Sequence, residues 1–493
     1  MTADIIIGLD VGTTAAKASL FTLSGELIRT ASHEYPLLGP QPGWHVQRPD
    51  DIAKGVLDAL ADAVSSVDAS RIIGISISTA MHGLMGLDEQ HKPVTNLLTW
   101  ADSRALKQAE KLNEHATGPR LYYTSGTPTH PMSPLVKLRW FSDNDPELVK
   151  RTRYWINLKD WILVILTGQV ATELSNASGT GMIDMEERSW NPEAIEIAGV
   201  TVEQLPPILD TTATLPLSAA AASRISLPSG LPVIVGAGDG PLGNLGTGAM
   251  SPRRAGLSLG TSGALRMVVR RPSLVSGLFC YALTRDIWVT GGAVSNGGLV
   301  QRWLTETFGP EGATDAEVCE RAEKIPLGSD GLMMIPYLVS ERASLWDSEI
   351  RGAFLNVRRP HTPDHFIRAG IEGVAYQLWT ILRRLRMIAQ VDEIRATGGV
   401  FRSKLWRDIV AGVMNRRFIV TGNAEGSGLG AAILGVYALG IVDNLEDGYE
   451  MLRGDTTDDL IEVSQDVLDQ YETFRFSVPG LLQTYGRLGM TLH

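Results

Sequence analysis

Apolar residues near the start of the chain come in short runs, each broken by glycine and hydroxyl residues before a helix could complete its turns. Residues 4–9 and 18–23 read as strands, and Ser24-Gly25 reads as a hairpin turn into a third strand over 26–35. Asp10-Val-Gly-Thr-Thr14 therefore lies inside a β-hairpin. At Pro49 the period changes. Ile52, Val56, Leu57, Leu60 and Val64 share one face behind acidic residues in the first turn, which predicts a helix starting there. A buried strand over 72–78 then runs to Met81-His82-Gly83.

The second half repeats this order more loosely. Strands are predicted over 232–235, 255–259, 264–269, 288–290 and 394–397, with glycine at the strand ends where a ligand can approach the backbone. Helical spacing is predicted over 299–308, 365–390 and 403–415. A boundary near 246–252 divides the chain into residues 1–248 and 249–493, as expected of 493 residues, more than one hydrophobic core usually supports. The fold class is α/β.

The two halves share more than order. Ser258-Leu-Gly-Thr-Ser-Gly263 repeats the glycine-hydroxyl turn of residues 10–14, and such turns aim N–H groups and hydroxyls at one spot, as a phosphate requires. Two of them imply two halves facing one nucleotide. Asp10, two residues before the first cradle, has the spacing to hold a hydrated Mg²⁺ against phosphates. Lys17 has equal claim to neutralise phosphate or to be simply solvated. Asp239, between glycines in Gly236-Ala-Gly-Asp-Gly240, suits a general base for a substrate hydroxyl, against the plainer reading of an Asp-Gly turn.

Composition narrows the partners. With 44 Lys+Arg against 55 Asp+Glu the net charge is −11, which repels nucleic acid and anionic membrane. The two cysteines cannot form a disulfide framework, and the opening residues carry no basic region or cleavable apolar segment, so a cytoplasmic protein is expected. The stretch 428–442 is uncharged but shorter than the roughly 20 residues that cross a bilayer.

Competing motifs fail. Gly238-Asp-Gly-Pro-Leu-Gly243 fits the dinucleotide pattern, but it puts Asp239 in the pyrophosphate loop, and no acid occurs between Pro241 and Arg285 to meet a ribose. A P-loop is absent, and no His pair belongs to an H-E-x-x-H zinc motif. Trp155, Trp161 and Trp190 read as core. Trp100-Ala-Asp102-Ser-Arg104 offers a stacking face and paired hydrogen-bonding groups for a polyol. Taken singly, His82 and His130 are each better explained by structure than by binding, although three prolines stiffen the 127–134 loop that carries His130.

Seven motifs in this order resemble the FGGY carbohydrate kinases, relatives of actin and hexokinase: Asp10 to Lys17, Met81-His-Gly83, Trp100 to Arg104, Gly238-Asp-Gly240, Ser258 to Ser262, Glu341-Arg-Ala343 and Gly398-Gly-x-x-x-Ser403. The resemblance implies two ribonuclease-H-like domains with ATP between them, Mg²⁺ linked to Asp10, and Asp239 as the base. By the same resemblance Thr13, Thr14, Gly260 and Thr261 hold phosphates, while Gly297, Gln301, Gly399 and Ser403 line the adenosine site. The sugar falls to Met81, His82, Gly83, Trp100, Asp102, Arg104, His130 and Asp239. Met81-His82 stands where the glycerol-specific subgroup has Arg-Glu, which disfavours glycerol. Residues 126–134 with 100–104 look most like the family's gluconate kinases, in which case His130, Arg104 or Lys137 meets the sugar-acid carboxylate. Xylulose is the alternative substrate, and a non-catalytic sugar sensor a remote one. A homodimer is one assembly the resemblance allows, and no segment marks its interface.

Overall fold

The computed structural model describes residues 4–347, 349–422 and 426–491. Residues 1–3, read above for a leader, lie outside the described residues. Strands β1 (Ile5–Val11), β2 (Ala15–Thr22) and β3 (Leu27–Glu34) form an antiparallel meander. Helix α1 (Pro49–Val64) starts on its proline and buries Ile52, Val56 and Leu60. The chain returns as β4 (Ile72–Thr79), parallel to β1. A long excursion, which includes α2 (Pro134–Asn144) and α3 (Leu158–Thr167), leads to β5 (Thr214–Pro216), β6 (Pro232–Gly238) and, directly after it, α4 (Asp239–Gly246). These strands make a six-stranded sheet in the order β5-β6-β4-β1-β2-β3.

The second half builds the same device from β7 (Arg254–Leu259), β8 (Gly263–Val269), β9 (Phe279–Ala282) and β10 (Trp288–Val294). Helices α5 (Gly298–Phe308), α6 (Asp315–Ala322) and α7 (Pro363–Leu385) follow, then β11 (Glu393–Thr397), α8 (Lys404–Met414), β12 (Arg417–Val420), α9 (Gly426–Ala438) and β13 (Asp459–Ile461). Its sheet runs β9-β10-β8-β7-β11-β12-β13. In both sheets a three-stranded antiparallel meander, β3-β2-β1 or β10-β8-β7, continues into two parallel strands, β4 and β6 or β11 and β12. Right-handed parallel crossovers demand covering helices, which is why each half alternates strand and helix after its meander.

Two expectations need correcting. The strand expected over 288–290 runs on through Gly291-Gly292 to Val294, because β10 is paired on both sides and a Cβ on Gly292 would come within 2.7 Å of the Ala343 Cβ. Those glycines serve packing, not ligand approach. The helix expected to reach Gln390 stops at Leu385, where the Arg386 N–H bonds back to the Leu382 carbonyl. Trp155 and Trp161 are buried as expected, and Trp190 is half-buried.

The halves interlock. Helix α9 belongs to the second half of the sequence but packs on β1 and β4 of the first sheet and against α4. Leu242 and Leu245 of α4 join Leu429, Ile433 and Val436 of α9 in one apolar cluster with Ile6 and Ile234 below and Val268 and Val289 opposite. A Cβ on Gly430 would sit 1.9 Å from the Leu242 carbonyl oxygen, so only glycine lets these helices touch. Among the described residues no helix is long and apolar enough to cross a membrane, and Cys280 and Cys319 are buried free thiols.

Candidate active site

Each glycine-hydroxyl turn is closed by the N–H of its own glycine, reaching three residues on in the first and two in the second. The Gly12 N–H donates to the Ala15 carbonyl at 2.9 Å, and the Gly260 N–H donates to the Ser262 carbonyl at 2.8 Å. The first is braced from outside: Tyr35 Oη donates to the Gly12 carbonyl at 2.6 Å, Gln47 Nε2 to the Thr13 carbonyl at 2.7 Å, and Trp100 Nε1 to Thr13 Oγ1 at 2.9 Å. The second abuts the start of α5, where Gly298 and Leu299 donate their N–H groups to the Gly260 and Thr261 carbonyls. Thr14, Gly260 and Thr261 are exposed. Lys17 is exposed too, directly opposite Asp10 across the β1–β2 ladder.

Strand register sets the two acids. Asp10 and Ala237 both pair with Ser78 of β4, one from each side, so their backbones lie about 10 Å apart at the usual strand spacing, and Asp239 follows two residues later. Ser78 Oγ donates to Asp10 Oδ1 at 2.7 Å, and Ser427 Oγ of α9 donates to Asp10 Oδ2 at 2.7 Å. Loss of hydration, and then the Asp10 charge, push the Asp239 carboxyl up to about 6, while the Arg266 guanidinium pulls against them. A carboxylate titrating there is matched to proton transfer near neutrality.

Asp239 lines a cavity of about 230 Å³ with walls from both halves. Met81, His82, Trp100 and Met132 come from the first, and Arg266, Tyr281, Arg342 and Trp346 from the second. His82 Nδ1 donates to the Gly179 carbonyl at 2.7 Å, which leaves Nε2 an acceptor, 3.4 Å from Tyr281 Oη. Burial pushes its pKa down to about 3, so the ring is neutral. His130 shows the opposite tautomer: Nδ1 accepts the Met132 N–H at 3.2 Å, which leaves the ring proton on Nε2. Its ring meets Trp346 edge-on at 5.6 Å, and burial pushes it down to about 3 as well.

Five residues expected at the sugar do not line this cavity, and one of them is His130, whose ring meets the lining residue Trp346 instead. Asp102 takes Arg104 in a two-pronged ion pair with both contacts at 2.8 Å, both side chains are buried, and the guanidinium stacks 3.6 Å from the Trp44 ring. Gly83 faces Leu97 and Leu158 in the core behind. Lys137, fully buried, donates to the His82 and Thr99 carbonyls at 2.7 Å each, so it supports the His82 backbone from below. The cations that do line the cavity, Arg266 and Arg342, are ones to which the sequence reading gave no role. Arg266 Nη1 donates to Ser258 Oγ at 3.2 Å, and its buried Nε has no protein partner. Arg342 is anchored through Nε on Ser295 and Nη2 on the Val294 carbonyl.

A second cavity of about 610 Å³ opens on the other side of Gly260, the one lining residue the two share. Thr261, Gln301, Gly399 and Ser403 line it, with Cys319 and Trp406 at its apolar wall. Gly297 does not line it. Its backbone backs onto the 260–262 turn, and Gly298 faces the space instead. Gln301 is buried, its Oε1 accepting from Trp406 Nε1 at 3.3 Å. The volume is in the range of small-molecule sites, and a long ligand in it would present one end to Asp239.

Residues 5–246 match the FGGY family of carbohydrate kinases, N-terminal domain, and residues 255–439 match its C-terminal domain. The gluconokinase of Bacillus subtilis (strain 168) is 36% identical over 464 residues, which span 91% of this chain and 90% of the relative. The crystal structure of a gluconate kinase from Lactobacillus acidophilus superposes with a TM-score of 0.93 at 30% identity, covering 98% of both chains. A ligand-bound xylulose kinase from Lactobacillus acidophilus gives the same TM-score and identity over 98% of this chain and 99% of its own. Paired ribonuclease-H-like sheets, two phosphate-type turns and the twin cavities meeting at Gly260 thus come with matches over both halves: the chain belongs to the FGGY family of carbohydrate kinases and is a sugar phosphotransferase.

Proposed function

We propose that the enzyme is an ATP-dependent gluconate kinase, moving the γ-phosphoryl group to the primary hydroxyl of D-gluconate to give 6-phosphogluconate. The observation that carries this reading is the charge balance of the 230 Å³ cavity, where the guanidiniums of Arg266 and Arg342 face a single carboxylate, Asp239. One cation is balanced by that carboxylate. Glu341 offsets Arg342 from behind the cavity wall, but Arg266, whose Nε has no protein partner, keeps donor capacity that an anion would take up and a neutral ketose would not match in charge. The names of the similar gluconate kinases support the same choice. Xylulose is the second reading, favoured by the equally close fold match to a xylulose kinase.

In this reading residues 1–248 contribute the sugar pocket, the first turn and the base, and residues 249–493 the second turn and the adenosine cavity. Adenosine occupies the larger cavity beside Gln301, Gly399 and Ser403, and the triphosphate passes Gly260 between the turns carrying Thr13, Thr14 and Thr261. Asp239 accepts the hydroxyl proton late, as the new oxygen–phosphorus bond forms and the bond to ADP breaks. Positioning and charge neutralisation supply most of the acceleration, and the enclosed cleft excludes competing water. His82 accepts from a sugar hydroxyl as a neutral ring, and His130 packs against the cavity residue Trp346.

The residues fit Mg²⁺. Among the described residues no cluster of three or more His, Cys, Asp or Glu could enclose a metal, and Mg²⁺ characteristically takes one or two carboxylates with water and substrate phosphates. Asp10 would hold the hydrated ion, which when bound offsets phosphate charge. An ADP-release assay across gluconate, xylulose, ribulose and glycerol tests the assignment. Gluconate is expected to give the highest kcat/KM, and a preference for xylulose removes the sugar-acid reading while leaving the kinase.

A further inference from the structure

Lys159 occupies a place that local rules oppose. It is the second residue of α3, behind an N-cap formed by Asn157 and Asp160, where the helix dipole disfavours a cation, and it is completely buried. Its ammonium donates to three backbone carbonyls: Ile77 of β4 at 2.8 Å, Val235 of β6 at 2.8 Å and Ala237 of β6 at 2.9 Å. The β4–β6 register shifts between Ile234 and Ala237, around Gly236 with φ of 76°, where a Cβ would lie 1.8 Å from the Ile77 oxygen. Such a bulge leaves strand carbonyls without ladder partners inside the protein, and the lysine takes them up.

A second anchor acts on the next residue. Glu173, also fully buried, lies 3.7 Å from the Lys159 ammonium and accepts the N–H groups of Ser175 and Asn176. Ser175 Oγ in turn accepts the Gly238 N–H at 3.2 Å. The carbonyl of Ala237 and the amide of Gly238, the two backbone groups leading into Asp239, are therefore both tied to this buried pair. Ile77 precedes Ser78, whose hydroxyl bonds Asp10.

We propose that Lys159 is a positioning residue for the transfer step: with Glu173 and Ser175 it fixes the ends of β4 and β6, and thereby the carboxylate of Asp239, without touching substrate. This rests on the reading of Asp239 as the base. The test uses the full chain with Lys159→Met, Lys159→Met/Glu173→Gln and Ser175→Ala, each alone and in the Asp239→Asn background, with kcat, KM and melting temperature measured. The lysine variants are expected to lose about 10²-fold in kcat, the cost of a displaced catalytic group, with both KM values little changed. Ser175→Ala is expected to lose about fivefold, the scale of one neutral hydrogen bond.

None of the three is expected to slow Asp239→Asn further, because groups acting as a unit are not additive. Wild-type kcat in a folded variant overturns the proposal, and so does a loss that multiplies with Asp239→Asn. If neither lysine variant folds, Ser175→Ala decides by the same two criteria. Normal turnover in Asp239→Asn itself removes the base, whereas a deep loss there beside unaffected Lys159 and Ser175 variants removes only the positioning role.

Discussion

Asp10 and Ser427, 417 positions apart, share a 2.7 Å hydrogen bond that joins the end of β1 to the first turn of α9. The serine hydroxyl donates to Oδ2 while Ser78 serves Oδ1, so both oxygens of the acid are oriented before any nucleotide arrives. Ser427→Ala should leave Asp10 held by Ser78 alone. It is expected to lower stability by about 1 kcal/mol and to raise the KM for the magnesium–ATP complex more than it lowers kcat. Thermal melts and steady-state kinetics read both. An unchanged KM with a collapsed kcat would show the serine to serve the chemistry instead.

The rate should follow the charge state of Asp239. With Asp239 as the proposed base, which must be ionised, and its carboxyl pushed up to about 6, kcat/KM is expected to rise with pH through about 6 and then level. Asp239→Asn should remove that limb and cut turnover by roughly 10²-fold or more. In Arg266→Met a positive charge that favours the carboxylate is gone, so the limb should move to higher pH. A pH–rate profile of the three proteins checks this, and a limb that survives in Asp239→Asn belongs to another group. His82 and His130, both pushed down to about 3, supply none in this range.

On the gluconate reading, Arg342 should separate the acid from the neutral sugar. Arg342→Met is expected to lower kcat/KM for gluconate by about 10- to 100-fold, the worth of a charged hydrogen bond, and to change that for xylulose little. Equal losses on both sugars would assign the guanidinium to the phosphoryl group they share.

Gly399, which lines the larger cavity, and its neighbour Gly398, which does not, should respond differently to a side chain. A Cβ on Gly399 meets nothing within 4 Å, so Gly399→Leu is expected to fold normally and raise the KM for ATP by filling the cavity. Gly398 has φ of 127°, and its Cβ would lie 2.1 Å from the Leu259 carbonyl oxygen. Gly398→Ala should therefore destabilise the protein by about 1–3 kcal/mol or more before any question of binding arises. Melting curves beside ATP titrations distinguish the two, and a Gly399→Leu enzyme with normal ATP affinity would move adenosine out of that cavity.

Much of the site was legible because its signals are local. A strand followed by Gly-Thr-Thr or Gly-Thr-Ser must turn within a few residues, whatever the rest of the chain does. The sugar pocket was less so. Trp100-x-Asp-x-Arg104 reads as a polyol site, but Asp102 and Arg104 are close enough in sequence to satisfy each other, and Trp44, 60 residues earlier, gives the pair a face to fold against. Arg266 carried a signal that went unread: it is the one charge in the buried strand Gly263–Val269, where a lone arginine needs a reason. Arg342 and Trp346 offered none beyond the Glu341-Arg-Ala motif, since their nearness to His130 and Trp100 comes from the docking of one half on the other. Lys159 was hidden for a similar reason, its three acceptors being backbone atoms that carry no residue identity.

Helix α9 gives the molecule a property its tandem layout conceals. Severed between the two halves of its gene, the polypeptide would yield a first fragment whose sheet lacks one of its coverings, and a second fragment bearing a greasy helix with nowhere to dock. Any hinge between the lobes would have to accommodate this shared helix, which belongs to the second half of the sequence and packs on the sheet of the first.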